Sequence, residues 1–343
     1  MKKIYVKKSL AWDFFKRGVM MYQPKLSVLK TEEAIKFIKD EFERLLANNL
    51  HLKRVSAPLF VDHDSGLNDH LNGTEKPLHF NYDQTRIEIV QSLAKWKRNA
   101  LYEYGFKKGV GLFTDMNAIR PSETLDETHS LYVDQWDWEK VIKNEDRTLE
   151  TLKNHVHKIY DAFLTMEEAL MNHYDVFEAK LPKDIFFINS QHLLDKYPDQ
   201  TPEARENLIT KEKGAVFILK IGDPLSNGVP HDLRSPDYDD WQLNGDLLVW
   251  HTPLQKALEL SSMGIRVNEE SLKRQMNLVD KWPKGHYHET LLNGTLPQTI
   301  GGGIGQSRVC QYLLEKYHVG EVQASYWSET IKKECKKKNI PLL

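Results

Sequence analysis

From Thr31 to Asn49 the apolar residues Ala34, Ile35, Phe37, Ile38, Phe42, Leu45 and Leu46 return at three- and four-residue intervals, the stripe of an amphipathic helix. Thr31 and the acids Glu32 and Glu33 suit its first turn, where a hydroxyl and negative charge meet free backbone N–H groups. The pattern predicts a long helix over 31–49. The segment after it, Leu52 to Phe60, is β-prone but contains Pro58, which cannot donate to a ladder, so an edge or interface strand is expected. Shorter apolar runs predict strands at Arg86 to Gln91, Gly109 to Ile119, Ser130 to Trp138, Ala215 to Ile221, Asp246 to Trp250 and Leu258 to Val267. Helical spacing returns at Leu149 to Asn172 and again at Gln306 to Lys316. Strands and helices do not alternate regularly, which predicts an α+β fold with a mostly antiparallel sheet flanked by helices.

Composition narrows the class. With 40% hydrophobic and 28% charged residues, the 343-residue chain has ordinary globular usage. Its 47 basic and 49 acidic side chains leave a net charge of -2, so no global field draws it to nucleic acid or anionic lipid. No apolar run approaches the roughly 18 residues that a membrane-spanning helix needs. The two cysteines, Cys310 and Cys335, fit neither a metal motif nor a disulfide framework, and a cytoplasmic setting is expected. Residues 1–23 carry Lys2, Lys3, Lys7, Lys8, Lys16 and Arg17 against Asp13; they read as an N-terminal extension, rich in Lys rather than in the Arg and Ser of an organelle presequence. Residues 24–343 are expected to form one catalytic domain.

Several stretches carry chemistry. In Gly301-Gly302-Gly303-Ile304-Gly305 four glycines in five residues permit close backbone approach to a flat or charged ligand, and a glycine-rich loop is expected there. The alternative is a tight turn; a Rossmann unit is excluded because too little chain follows. Arg308 falls in the first turn of the next helix, where a guanidinium can meet phosphate. Arg120 and Glu123 sit between two strands, positioned either over a ligand or in a surface turn. Asp246 and Glu259 each interrupt an apolar strand; buried acids need a partner, which a counter-charge or Mg2+ shared with ATP phosphates would supply. In Val133-Asp134-Gln135-Trp136-Asp137-Trp138-Glu139, alternation puts Gln135 and Asp137 on one face and the two tryptophans on the other. Such an amide and carboxylate suit an α-ammonium group. Lys95 and Lys97 offer cations for a carboxylate or, alternatively, a solvated helix face, and Asp237 to Trp241 is a dense acidic turn.

Taken together, Ser92 to Arg98, Val133 to Glu139, Pro236 to Trp241, Glu259 to Arg266 and Pro297 to Arg308 resemble the blocks of ammonia-dependent asparagine synthetases (aspartate–ammonia ligases), relatives of the class II aminoacyl-tRNA synthetase catalytic core. The resemblance runs from about Pro24 to the C-terminus. It implies a class II synthetase-like fold and an aspartate pocket built from Asp69, Ser92, Lys97, Gln135, Asp137, Asp239, Ser262 and Arg266. It places ATP against Arg120, Glu123, Gly303, Gly305 and Arg308, with Mg2+ at Asp246 and Glu259. It implies catalytic roles for Asp69, Arg120 and Arg308, and a homodimer through residues 31–60. The substrates implied are aspartate, ammonia and ATP, with a β-aspartyl-AMP intermediate. Another adenylate-forming synthetase, or a sensor that kept the core without the chemistry, are the competing readings.

Overall fold

The computed structural model describes residues 22–343 apart from 70, 72–74 and 281–284. The first 21 residues, most of the expected extension, therefore lie outside the described residues. Helix α1 (Val28–Leu50) is capped by the Ser27 side chain, which accepts from the Lys30 N–H. It starts three residues before the expected Thr31 because Thr31 is not the cap: it is buried, and its hydroxyl accepts from Lys316 Nζ at 2.9 Å. Its stripe of Ala34, Ile35, Ile38, Phe42, Leu46 and Leu50 is buried, with the Phe42 ring 4.8 Å from that of Trp136 and 4.7 Å from that of Phe163.

After α1 the strands β1 (Leu52–Arg54) and β2 (Phe60–Asp62) stand where one continuous segment was expected, with Pro58 in the break. β3 (His79–Tyr82) and β4 (Thr85–Ile89) form a hairpin that joins β2 in a small three-stranded sheet. Then come α2 (Ala94–Glu103), β5 (Gly111–Ile119), β6 (Tyr132–Val141), α3 (Leu149–His173), β7 (Phe186–Asn189), α4 (Ser190–Lys196), α5 (Pro202–Lys213) and β8 (Ala215–Leu219). The chain continues through β9 (Asp239–His251), β10 (Lys256–Arg266), α6 (Glu269–Val279), α7 (His286–Leu292), β11 (Thr299–Gly305), α8 (Gln306–Leu313) and α9 (Glu329–Lys337).

The main sheet has eight strands in the order β1-β5-β6-β11-β10-β9-β8-β7, antiparallel except for the two outer pairs, β1 with β5 and β7 with β8. This is the α+β, mostly antiparallel architecture expected. Trp136, Trp138, Met263, Ile300 and Ile304 on one face of the central strands join α1 and α3 in the largest core cluster. Alternation turns Gln135, Asp137 and Glu139 to the opposite face, where the functional groups collect.

The glycine run is not a loop. Gly301 to Gly305 lie inside β11, Gly301 opposite Glu139 and Gly264, and Gly303 opposite Asp137 and Ser262. These glycines serve close lateral approach rather than bending. A Cβ on Gly303 would stand 2.6 Å from Asp137 Oδ1, and one on Gly302 would stand 2.6 Å from the Ser262 carbonyl oxygen. On Gly301 it would overlap the Glu139 carboxylate. β11 is stripped of side chains so that polar groups of its neighbours can fold over it.

Candidate active site

A cleft of about 340 Å³ opens on the polar face of β6, β11 and β10, a size usual for small-molecule sites. At its floor Arg266 donates from Nε to both Glu139 oxygens at 2.9 and 3.0 Å and from Nη2 at 2.6 Å, while Nη1 pairs with Asp239 Oδ1. Thr299 adds a hydroxyl to Glu139 Oε1 at 2.6 Å. Burial alone disfavours a charged guanidinium, yet Glu139 and Asp239 hold the Arg266 pKa well above its usual value. Burial raises the Asp239 carboxyl, and the Arg266 charge opposes that rise.

Lys97 is equally buried. It donates to the Gly302 carbonyl at 2.8 Å and lies 3.3 Å from Asp137 Oδ2. Burial lowers its pKa, and the nearby Arg266 pushes the same way against the pull of Asp137. Asp69 enters from the loop before β3. Its backbone N–H is held by Asn68 Oδ1, which also takes the Gln91 N–H, and its own carboxylate accepts from Leu71 N at 3.1 Å. Burial pushes the Asp69 carboxyl up to about 6, although the Lys95 charge and the Ser92 hydroxyl act to lower it.

Three further guanidinium groups line the cleft. Arg308, in the first turn of α8 as expected, donates to the Glu259 carbonyl at 3.2 Å and lies 3.9 Å from the Glu259 carboxylate. Arg120 donates to the Gln91 carbonyl at 3.3 Å. Arg234, which the sequence did not single out, lies between these and Asp246, with which it is ion-paired. Burial raises the Asp246 carboxyl well above its usual value; Arg234 counters that, and Glu259 adds to it. Ser262 stands opposite Asp246 in the β9–β10 register, and its hydroxyl acts to lower the Asp246 pKa.

Fourteen of the fifteen expected site residues line this one cleft. Asp246 is the exception, set behind Arg234. Two readings need correction. Lys95 faces no ligand, for its ammonium is buried on Asp237 Oδ2 at 2.9 Å. The acidic stretch Asp237 to Trp241 is not a turn throughout: Asp239 to Trp241 open β9, with Asp239 on Arg266 and Asp240 on Arg147 at 2.8 Å. Sequence reasoning also left Glu139 without a role. It continues the alternation of Gln135 and Asp137 and was legible from that pattern.

A family model, aspartate-ammonia ligase, matches residues 29–339. The chain belongs to that family. It is 56% identical over 327 residues to an aspartate–ammonia ligase of Clostridium perfringens, which covers 94% of this chain and 97% of that protein. It is 55% identical over 326 residues to one from Bacillus cytotoxicus, at 94% and 100% coverage. Membership makes this ligase-family chain an ATP-dependent enzyme that forms a C–N bond. Among solved structures it resembles Entamoeba histolytica asparaginyl-tRNA synthetase in complex with asparaginyl-adenylate, with TM-score 0.65 at 15% identity, covering 86% of this chain and 66% of that one. The Pyrococcus horikoshii enzyme gives TM-score 0.56 at 13% identity, with 86% and 68% covered. At such identities the likeness establishes the class II synthetase fold alone, over about two thirds of those chains. Family membership favours the ligase over the sensor and over another adenylate-forming synthetase.

Proposed function

We propose that this ligase makes L-asparagine from L-aspartate, ammonia and ATP through β-aspartyl-AMP. The observation that carries the reading is the mixed lining of one cleft. Buried acids balanced by Lys97 and Arg266 share it with three further guanidinium groups, those of Arg120, Arg234 and Arg308. Paired acids and cations suit a zwitterion, and the guanidinium groups suit a polyphosphate.

In the first step an oxygen of the aspartate side-chain carboxylate attacks the α-phosphorus of ATP, and the bond to the bridging oxygen breaks to release pyrophosphate. Arg120 and Arg308 offset the charge that builds on the phosphate, and the chain contributes positioning rather than a covalent intermediate. In the second step ammonia attacks the activated carbonyl carbon and AMP departs. The nitrogen sheds one proton on the way to the amide. Asp239 is committed to Arg266, whereas Asp69 is raised toward neutrality and faces the cleft, so Asp69 is the better acceptor.

Asp246 and Glu259 fit a magnesium ion. Among the described residues no group of three or more acids, histidines or cysteines gathers, but Asp246 Oδ1 is buried with no hydrogen-bond partner and the Glu259 side chain reaches the cleft. Two carboxylates with phosphate oxygens are the usual Mg2+ complement. Bound there, the ion would neutralise phosphate charge. A homodimer through residues 31–60 accords with exposed Leu59 and Phe60 beside Phe80, whose ring lies 5.7 Å from that of Phe60, and sedimentation of the full chain tests it. Two free, buried cysteines accord with a reducing cytoplasm.

The test supplies purified protein with Mg-ATP, ammonium and aspartate carrying oxygen-18 in its side-chain carboxylate. Asparagine, pyrophosphate and AMP bearing one labelled oxygen are expected. Formation of ADP, or turnover only with tRNA present, overturns the reading.

A further inference from the structure

Behind Asp69 lies a chain of charged groups that the steps above do not use. His288, on α7, is buried and places Nε2 at 2.8 Å from Asp237 Oδ2. The same oxygen receives Lys95 Nζ at 2.9 Å, and Asp237 Oδ1 receives the Ser235 hydroxyl at 2.7 Å. Despite its burial, Asp237 is held well below the usual carboxylate range by Lys95 and by the His288 N–H. Lys95 acts in turn on Asp69, lowering the pKa that burial raises. The groups around this pair are Asp237 and Tyr238 just before β9, Lys95 on α2, Tyr287 and His288 on α7, and the Ser92 hydroxyl.

The same helix holds the loop that carries Asp69. Gly285 caps α7 with φ of 149°, and Gly66, with φ of 70°, lies against it. A Cβ on Gly285 would stand 2.9 Å from Gly66 Cα, so the two backbones touch with no room for a side chain. Among the described residues His288 Nδ1 has no hydrogen-bond partner, and it lies beside Gly66, where a Cβ would be 3.4 Å from it. A buried imidazole with one committed and one idle nitrogen is not explained by packing alone, since an apolar side chain would fill the space without the idle group.

We propose that His288 is a positioning residue for amination: by holding Asp237 it fixes how far the Lys95 charge stands from Asp69, the group that takes the ammonia proton. The proposal rests on that assignment of Asp69. Without the His288 donor, Asp237 keeps only Lys95 and Ser235, and it draws the ammonium more fully to itself. Asp69 then loses part of its counter-charge, its carboxylate form is less favoured, and its titration moves to higher pH. Adenylation, which rests on Arg120 and Arg308, is spared.

His288→Leu, His288→Gln and Asp69→Asn are compared with the parent protein in two assays from about pH 5 to pH 8. One is aspartate-dependent exchange of labelled pyrophosphate into ATP; the other is asparagine formation with ammonia varied. In His288→Leu, kcat/KM for ammonia is expected to fall about tenfold below about pH 6, one pKa unit of lost carboxylate form, and to approach the parent value near pH 8. Its acid limb is expected to move up by about one pH unit, with exchange unchanged within about twofold. His288→Gln, which keeps an N–H near the Nε2 position, is expected to restore both. If His288→Leu does not fold, His288→Asn, polar but too short to reach Asp237, takes its place in the same assays. Parallel loss of both half-reactions with the limb unmoved, unchanged amination in a folded variant, or failure of Gln to rescue overturns the proposal. Asp69→Asn separates the two levels: if it aminates normally, the assignment of Asp69 itself falls, whatever His288 does.

Discussion

Replacing Gly303 by Ala adds one methyl group to the face of β11 that looks into the cleft. Built on the present backbone, that carbon stands 2.6 Å from Asp137 Oδ1 and 3.0 Å from Gln135 Cδ, well inside ordinary contact. Both neighbours are side chains that can yield toward the cleft, so the fold survives and the site is displaced. Overpacking of this kind costs about 1 to 3 kcal/mol. Taken from substrate binding at one factor of ten per 1.4 kcal/mol, it lowers kcat/KM for aspartate by roughly 5- to 150-fold. Steady-state kinetics with aspartate varied and ATP saturating reads the loss, and a denaturant midpoint near the parent value shows that the fold is intact. Gly302→Ala is the contrast. Its Cβ would meet backbone, 2.6 Å from the Ser262 oxygen and 3.0 Å from Met263 Cα, and backbone within a central sheet cannot move aside. Stability should then drop by about 1 to 3 kcal/mol. An alanine at 303 that leaves aspartate kinetics within about twofold of the parent would refute the view of β11 as a strand cleared for its neighbours.

Arg266→Leu removes the cation shared by Glu139 and Asp239 and leaves both carboxylates buried. A loss of about 3 to 5 kcal/mol is expected from urea unfolding, and a change below about 1 kcal/mol would show that the triad is not a closed buried network. Acid sensitivity follows from His155 and His251, each pushed down to about 4 by burial. Above about pH 6.5 both are neutral whether folded or unfolded. As pH falls from there toward 4 the unfolded chain binds protons that the folded one refuses, so stability is lost, about 3 kcal/mol for each imidazole. Unfolding free energies measured across that window check the slope; His155→Phe, which keeps a ring against Trp138, is expected to flatten it by about half.

What the sequence disclosed and what it hid divide along physical lines. Alternation in Val133 to Glu139 is a local rule, and it placed Gln135 and Asp137 in the cleft and the tryptophans in the core. The stripe of α1 is equally local, and the helix differs only at its ends, where the cap is Ser27. Glycine, by contrast, reports only that something forbids or dispenses with a Cβ. In β11 the cause lies on β6 and β10, more than 35 residues distant, so the run looked like a loop. Asp246 was rightly seen as an acid requiring a partner, but Arg234 comes from a segment with no pattern of its own. His288 is a single imidazole on a seven-residue helix, and its contact with Asp237 spans 51 positions. No sequence signal marked it.

The donors left over at the cleft floor indicate what the site is built to hold. Of the five N–H groups of Arg266, one on each nitrogen is directed at Glu139 or Asp239, leaving two. Lys97 gives one N–H to the Gly302 carbonyl and faces Asp137 with another, leaving one. A floor with spare donors in a buried setting is costly unless an acceptor arrives, and the acceptor must be small enough to reach between β6 and β10. Burial lowers the Lys97 pKa, and an incoming carboxylate would act to raise it. Binding the anion and charging its receptor are therefore coupled, and aspartate affinity should weaken as Lys97 loses its proton. The acids that fix these cations do not compete for the anion; they orient the fork and leave its free edge toward the cleft.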